Sequence, residues 1–224
     1  MTLIDYPSKI AAIVFTIGCN FRCRFCYNTR LVDPKLFKTN DIITEEEFFE
    51  FLNKRKGKIE AIVITGGEPT LQEDLITFIK KIKKYDFLVK LDTNGTNPDI
   101  LEKLLEEKLI DYIAMDIKNT IDDKNYMKIT RVGNYCKRIK KSIEIIKNSV
   151  IDYEFRTTVA PGITKENIID IAKYISGAKK YYLQEFKDLD LLDNECKKEN
   201  WLKWNELNEI HKEIKNLFGE CKVR

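Results

Sequence analysis

The chain has 224 residues, 43% hydrophobic and 33% charged, a composition typical of one globular domain with an ion-rich surface. Its 39 basic and 36 acidic side chains give a net charge of +3, which argues against a surface that binds nucleic acid. No apolar run reaches the ~20 residues that a membrane-spanning helix needs, and the first residues lack the features of a signal peptide. We therefore expect one domain over residues 1–224, located in the cytoplasm, with neither a nucleic-acid nor a membrane partner.

Short β-type runs alternate with longer amphipathic runs along the whole chain. The predicted strands are residues 9–17, 59–65, 87–92, 112–117, 152–159 and 180–186. The predicted helices are residues 45–55, 71–84, 98–108, 137–148, 165–176 and 201–218. Six βα units with short connections imply an α/β fold with a parallel sheet, whose chemistry gathers at the C-terminal ends of the strands. The pattern does not distinguish an open sheet from a partial barrel.

Three helix starts carry local signals. The Thr44 to Glu47 and Thr70 to Glu73 segments both fit a capping box, in which a hydroxyl and a carboxylate each accept from a free main-chain amide. Asn97 and Pro98 fit the N-cap and first positions of the next helix.

Three of the six cysteines lie in one loop, residues 18–28, directly after the first predicted strand. Cys19, Cys23 and Cys26 have the spacing C-x3-C-x2-C, which in a reducing compartment favours metal or cluster binding over disulfides. Thiolates are the usual ligands of iron–sulfur clusters, and three of them would leave one iron of a [4Fe–4S] cluster open. The alternative is a zinc or redox-active thiol site, but structural zinc usually takes four ligands, and His211, the single histidine, lies far along the chain.

The second predicted strand ends in Thr65-Gly66-Gly67-Glu68-Pro69. Two consecutive glycines allow the backbone to approach a ligand closely, although the same residues could form a mere turn between strand and helix. The position of this motif, one βα unit after the cysteine loop, favours a ligand.

Charged residues occupy strands that should be interior. Asp92 ends the third strand, and Asp116 and Lys118 share one face at the end of the fourth. Arg156 lies on the fifth strand, where burial requires a charged partner such as Glu154. These groups could pair with one another or bind an anionic, amino-acid-like ligand. Because an inert barrel interior is filled with branched apolar side chains, the polar interior predicts a binding site.

The loop Cys19-x3-Cys23-x-Phe25-Cys26, followed by Gly66-Gly67-Glu68-Pro69, resembles the radical S-adenosylmethionine superfamily. More narrowly, residues 91–95 (Leu-Asp-Thr-Asn-Gly) and 115–118 (Met-Asp-Ile-Lys) are similar to motifs of the enzymes that activate glycyl-radical proteins. Residues 5–9 and 19–28 look most like the activating protein of anaerobic ribonucleoside-triphosphate reductase. The resemblance covers nearly the whole chain, but the C-terminal segment 187–224 matches only loosely.

This resemblance implies a partial (β/α)6 barrel in which Cys19, Cys23 and Cys26 are the metal ligands and catalytic residues. They would bind three irons of a [4Fe–4S] cluster, and the amino and carboxylate groups of S-adenosylmethionine would bind the fourth. Aromatic side chains of the loop would lie against the adenosyl part, the glycine motif and Asp92 would hold the methionine amine, and residues 116–118 would bind ribose and carboxylate. The candidate cofactor-binding residues are Phe25, Tyr27, Gly66, Gly67, Glu68, Asp92, Asp116, Ile117, Lys118 and Arg156.

The resemblance also implies a reaction. A 5′-deoxyadenosyl radical would remove a hydrogen from a glycine Cα of a partner glycyl-radical enzyme, with a flavodoxin- or ferredoxin-type protein as electron donor. The alternative is a radical enzyme that acts on a small molecule, similar to carboxydeazaguanine synthase.

The chain also departs from the family pattern. Ser8 stands where many relatives have glycine, and the histidine that some relatives place near the adenosyl group has no counterpart before His211. Cys136, Cys196 and Cys221 match no motif and are interpreted as thiols that bind no metal.

Overall fold

A computed structural model describes residues 1–33, 36–37 and 42–224. Over these residues, seven β-strands form one parallel sheet whose order in space is their order along the chain. Because β1 and β7 form no pair within the described residues, the sheet is not closed there. The strands are β1 Ala11–Thr16, β2 Ala61–Gly66, β3 Leu88–Thr93, β4 Tyr112–Asp116, β5 Asp152–Val159, β6 Lys180–Glu185 and β7 Glu220–Val223.

Helices connect the strands in the manner of βα units. The helices are α1 Thr29–Val32, α2 Glu45–Arg55, α3 Leu75–Lys83, α4 Pro98–Glu106, α5 Asp123–Thr130, α6 Cys136–Lys147, α7 Lys165–Tyr174 and α8 Trp204–Ile214. Short 3₁₀ turns cover Pro69–Leu71, Asn194–Lys198 and Lys215–Leu217. None of the helices in the described parts has the length and apolarity needed to cross a membrane.

The two faces of the sheet differ because successive side chains on a strand point to opposite sides. The face that belongs to the main core is apolar and buried, as Ile62, Leu91, Ile113 and Phe155 illustrate. The opposite face begins with small and apolar residues on β1 and β2, and becomes charged on β3 to β6. The predicted polar interior is therefore found on one face of the later strands.

The predicted α/β class, a partial (β/α)6 barrel with a parallel sheet and flanking helices, is confirmed, with one strand added. β7 pairs in parallel with β6, Lys180 opposite Glu220. The predicted last helix, 201–218, is wrong at both ends, because α8 covers Trp204–Ile214. β7 has four residues, too few for a period-2 pattern to stand out in the sequence. The eight-residue helix α5 was not predicted either.

The three predicted helix starts have different outcomes. The Thr44 capping box is confirmed, with both reciprocal hydrogen bonds to Glu47 present. The Thr70 capping box is wrong: Thr70 lies in a 3₁₀ turn, its hydroxyl donates to the buried Glu68 carboxylate, and α3 begins at Leu75. Pro98 does open α4, but the Asn97 side chain donates to the Thr70 carbonyl and does not cap the helix.

Candidate active site around the cysteine loop

The cysteine loop, residues 18–28, begins where β1 ends, at the C-terminal edge of the sheet. Gly18 has φ +93°, a conformation that favours glycine, and its amide donates to the Leu31 carbonyl at 2.7 Å. Cys23 is 8% exposed, whereas Cys19 and Cys26 are half-buried. The predicted site therefore lies at the sheet edge where parallel α/β folds carry their chemistry.

The first half of the loop, residues 18–20, is fixed to the ends of β2 and β3. The Gly67 amide donates to the Thr16 carbonyl (2.9 Å), and the Glu68 amide donates to the Gly18 carbonyl (2.8 Å). A Cβ atom on Gly67 would lie 2.0 Å from the Gly18 oxygen, so this glycine is required for the backbones to touch. The close approach that the glycine motif predicts is therefore made to the cysteine loop itself.

Asn20 adds a side-chain connection to the turn after β3. Its amide group donates to the Thr96 hydroxyl (2.8 Å), and its oxygen accepts from the Asn94 side chain (2.9 Å). Neither Asn20 nor Asn94 is among the predicted site residues, although Asn20 lies in the cysteine loop and Asn94 in the motif of residues 91–95.

Glu68 is the buried residue at the centre of the contacts that hold residues 18–20. Its carboxylate is 1% exposed and accepts four hydrogen bonds: from the Thr70 amide (3.1 Å), the Thr70 hydroxyl (2.6 Å), the Thr93 hydroxyl (2.7 Å) and the Asn94 amide (2.6 Å). Burial raises the pKa of Glu68, and these four hydrogen bonds oppose the rise. All four donors belong to the protein, so Glu68 joins the ends of β2 and β3, and its contact with a cofactor stays a prediction.

The second half of the loop, residues 22–26, lies between the end of α5 and the segment after β6. The main-chain amides of the loop donate to carbonyls of α5, and its main-chain carbonyls accept from amides of the segment after β6. The bonds are Arg22 N to Thr130 O (2.9 Å), Arg24 N to Ile129 O (3.1 Å), Leu192 N to Cys26 O (2.8 Å) and Asp193 N to Arg24 O (3.1 Å).

The three thiols lie close enough to influence one another's ionisation. Burial, together with the neighbouring thiols, raises the pKa of Cys23 to about 12, although the Lys118 ammonium acts in the opposite direction. Burial also raises the pKa of Cys19 and of Cys26, and Lys118 again acts in the opposite direction. A bound metal would therefore have to displace the thiol protons, as thiolate ligation requires.

The donor set distinguishes a cluster from a single ion. Nowhere in the described part of the chain do three Cys, His, Asp or Glu side chains converge as the ligands of one metal ion would. A cubane makes no such demand, because each thiolate binds a different iron atom. Three thiols with no fourth cysteine or histidine in the loop therefore fit a cluster with one open iron better than they fit zinc.

Five side chains of alternating charge form a row on β3, on β5, and on β4 and the residues directly after it. Lys90 Nζ lies 2.8 Å from Asp92 Oδ1, and Asp92 Oδ2 lies 3.1 Å from Arg156 Nη1. Arg156 Nε lies 2.9 Å from Asp116 Oδ1, and Asp116 Oδ2 lies 3.2 Å from Lys118 Nζ. The structure thus brings together Asp92, Asp116, Lys118 and Arg156, as predicted from strand alternation.

Charge pairing controls ionisation within this row. Burial alone would raise the pKa of Asp116, but the Arg156 guanidinium and the Lys118 ammonium hold it at about 2. Burial likewise opposes the charge on Arg156, yet Asp116 and Asp92 keep its pKa well above the ordinary value. The expected partner Glu154 is more distant, at 3.9 Å. Asp116 is therefore ionised at neutral pH.

One oxygen of the row lacks a hydrogen bond. Asp92 Oδ1 is buried and has no hydrogen-bond donor among the described residues, although the Lys90 ammonium is near. The ammonium lies at ion-pair distance but outside hydrogen-bond geometry, which depends on angle as well as on distance. A buried acceptor without a donor fits a cofactor that brings an amine.

The remaining predicted site residues differ in exposure. Phe25 is buried, and the Lys118 ammonium lies 5.5 Å from its ring centroid. Tyr27 is 59% exposed. The Ile117 side chain is fully buried, and its amide donates to the Arg156 carbonyl at 2.8 Å. Phe25 therefore contacts a charged side chain of the row, and Ile117 is bonded to the row through its backbone.

The fold and the loop together define a class: an enzyme with an open parallel α/β barrel and a three-cysteine loop at the C-terminal edge of its first strand. The family model for the Radical SAM superfamily matches residues 13–175, and the chain belongs to this superfamily. Its enzymes use a [4Fe–4S] cluster and S-adenosylmethionine, so the two cofactor predictions are confirmed.

Among similar proteins, one from Methanocaldococcus jannaschii is named as a candidate glycyl-radical enzyme activating enzyme. It is 38% identical, over 100% of this chain and 92% of its own length. A GTP 3′,8-cyclase from Aquifex aeolicus is 27% identical over 76% of this chain and 54% of its own. Streptococcus suis SuiB, solved with S-adenosylmethionine bound, matches with a TM-score of 0.74 at 13% identity, over 96% of this chain and 50% of SuiB. The chain thus spans about half the length of the cyclase and of SuiB, and the SuiB likeness shows the fold.

Proposed function

We propose that this radical S-adenosylmethionine enzyme activates a glycyl-radical protein by removing a hydrogen atom from a glycine Cα. The observation that carries the proposal is the similarity, over nearly the full length of both chains, to the M. jannaschii relative named for that activity. The similarity to the cyclase, by contrast, leaves almost half of the cyclase unmatched.

In this proposal Cys19, Cys23 and Cys26 bind three irons of the cluster, and S-adenosylmethionine binds the fourth. When bound and reduced, the cluster supplies the electron that cleaves a carbon–sulfur bond of S-adenosylmethionine. The amides of Gly67 and Glu68 already donate to the β1 end and the cysteine loop. We therefore assign the methionine amine, itself a donor, to the carbonyl oxygens of Gly66 and Gly67 and to Asp92 Oδ1, which accepts no hydrogen bond from the described residues.

The charged row supplies the remaining contacts in this proposal. Asp116, ionised because of Arg156 and Lys118, accepts hydrogen bonds from the ribose hydroxyls. Lys118, with the Ile117 backbone, takes the methionine carboxylate. Arg156 acts on the cofactor through Asp92 and Asp116, because its guanidinium is held by both carboxylates.

Loop aromatics complete the proposed cofactor site. Phe25 and Tyr27 pack against the adenosyl group. Side chains already fixed by ion pairs lose little freedom when the cofactor binds, so the row preorganises the site.

The proposed protein substrate is an anaerobic ribonucleoside-triphosphate reductase, and the proposed electron donor is a flavodoxin- or ferredoxin-type protein. Residues 5–9 and 19–28 support this choice of substrate through their resemblance to its activating proteins.

Electron paramagnetic resonance tests the activity. Anaerobically reconstituted enzyme is reduced, mixed with S-adenosylmethionine and the candidate reductase, and examined for a glycyl radical. We expect a signal with wild type, and none with Cys23→Ala or with a reductase whose radical glycine is replaced by alanine. If wild type cleaves S-adenosylmethionine but radicalises no candidate reductase, activation of this partner is wrong.

The second candidate function is a radical reaction on a small molecule, of the carboxydeazaguanine synthase type. The similarity to GTP 3′,8-cyclases favours it. It predicts that 5′-deoxyadenosine forms when a small molecule is added and no partner protein is present.

A further inference from the structure

We propose that the segment after β6, residues 187–199, positions Cys23 and Cys26 for the cluster, and that Asp193 is the positioning residue. The proposal rests on the assignment of these cysteines as cluster ligands, and it concerns a segment that matches the family only loosely. The cysteine motif gives no indication of this role, because the segment lies far from it in the sequence.

The segment is anchored in the core on both sides of Asp193. Leu191 is 3% exposed and Cys196 is fully buried, and both belong to the main hydrophobic core. Asp193 also begins the 3₁₀ turn Asn194–Lys198, since its side chain accepts from the Glu195 amide. The main chain at Asp193 is therefore held in place by burial and by a local turn.

From this anchored position, Asp193 contacts both the second half of the cysteine loop and the end of α5. Its amide donates to the Arg24 carbonyl, and its carboxylate Oδ2 accepts from Arg24 Nε at 3.0 Å. The same oxygen accepts from Arg131 Nη2 at 2.6 Å, and Arg131 is the C-cap residue directly after α5. Arg24 also pairs with Glu199. One carboxylate thus joins α5, the cysteine loop and the C-terminal segment.

The contacts are arranged so that they act on two of the three thiols. Arg24 lies between Cys23 and Cys26, and Cys26 O accepts from the Leu192 amide. Cys19 belongs to the first half of the loop, whose supports are Gly67, Glu68 and Asn20. Loss of the Asp193 charge should therefore loosen Cys23 and Cys26 and leave Cys19 unaffected.

Asp193 is well suited to this task because it is 12% exposed on its side chain and Arg24 is 21% exposed. Charged hydrogen bonds shielded from solvent are stronger than those on the surface, so the Arg24–Asp193 bond contributes more than the bond from Arg131, whose side chain is 49% exposed. They fix a loop that has no regular secondary structure of its own between residues 18 and 28.

The first test uses the full-length metal-free protein and measures thiol alkylation site by site with mass spectrometry. In Asp193→Asn, Cys23 should react roughly fivefold faster than in wild type, the ratio expected when a charged hydrogen bond is replaced by a neutral one. The rate at Cys19 should stay unchanged. Equal acceleration at Cys19 and Cys23, or no acceleration at either, would overturn the proposal.

The second test uses the reconstituted holoenzyme and follows iron release to a chelator, together with the resonance spectrum of the reduced cluster. Asp193→Asn should release iron roughly fivefold faster and show an altered spectrum with S-adenosylmethionine, and Asp193→Glu should recover part of the wild-type behaviour. Wild-type release from Asp193→Asn would contradict the proposal.

Asp111→Asn is the matched control. Asp111 also joins a main-chain amide, that of Val89 (2.7 Å), to a half-buried cation, Lys83 (2.8 Å). It lies just before β4, at the opposite end of the sheet from the cysteine loop. If Asp111→Asn accelerated iron release as much as Asp193→Asn, the effect would reflect general stability, which would refute a positioning role. Both tests omit the partner protein, so a failed glycine activation would bear on the proposed function alone.

Discussion

One carboxylate supports each half of the cysteine loop, but in different ways: Glu68 joins the ends of β2 and β3, to which residues 18–20 are bonded, whereas Asp193 bonds to the second half directly. Glu68 is 1% exposed and accepts only from neutral amides and hydroxyls of β2 and β3. Asp193 is partly exposed and accepts from two guanidinium groups, those of Arg24 and Arg131. The first half is thus fixed from inside the fold, and the second half from its surface.

The difference shows how surroundings decide what a carboxylate contributes. Among the described residues no cation pairs with Glu68, and burial raises its pKa despite four hydrogen bonds. Hydrogen bonding to Arg24 lowers the pKa of Asp193 more than burial raises it. We expect the buried support to contribute more to stability, because removing it leaves several donors unpaired in the core.

The largest expected effect comes from removing the buried carboxylate. Glu68→Ala leaves the amides of Thr70 and Asn94 and two hydroxyls without an acceptor, and we expect it to lower the free energy of unfolding by about 3 kcal/mol. Urea denaturation of the metal-free protein measures the loss. Asp193→Asn, measured in parallel, should cost less, and an equal or larger cost would reverse the comparison.

A somewhat smaller effect is expected from the contact between Gly67 and the loop. In Gly67→Ala the new Cβ would lie 2.0 Å from the Gly18 oxygen, so the first half of the cysteine loop must move. We expect this movement to lower the free energy of unfolding by about 2 kcal/mol. Iron content after reconstitution should fall in the same variant. Gly133→Ala is the control, since its Cβ would meet only Met127 Sδ, at 3.6 Å. Normal iron binding by Gly67→Ala would show that this contact is dispensable.

The smallest effect is a difference in the sign of pH dependence. The pKa of Asp193 is lowered on folding, so its contribution is complete above pH 3.8, its ordinary value, and is lost as the pH falls below that. The pKa of Glu68 is raised, so its contribution is complete below pH 4.5 and is lost as the pH rises above that.

These signs can be separated by comparing each non-titrating variant with wild type. Between about pH 7 and about pH 4.5, the stability of wild type relative to Glu68→Gln should increase as the pH falls. Relative to Asp193→Asn it should stay constant over that range and decrease at about pH 3. Urea denaturation at the three pH values checks this, and a common sign for both residues would show that their surroundings are alike.

Most of the architecture follows from local patterns. The six predicted strands, the parallel sheet and the Thr44 capping box are confirmed, because period-2 and period-3.6 patterns and capping depend on neighbouring residues. The prediction of a Thr70 capping box is wrong because the Thr70 hydroxyl donates to the buried carboxylate of Glu68. β7 was missed because it is defined by its partner β6, and its own four residues carry little signal.

By itself, the sequence determined the α/β fold, the cysteine spacing, the glycine motif and the face on which Asp116 and Lys118 lie, since these depend on residue type and local period. Only the tertiary structure decided that Arg156 pairs with Asp92 and Asp116, that Gly67 touches Gly18, and that Asp193 reaches Arg24 across 169 positions of sequence. Such contacts form between segments distant in the chain, and their partners are selected by how the strands and loops pack, which no local pattern records.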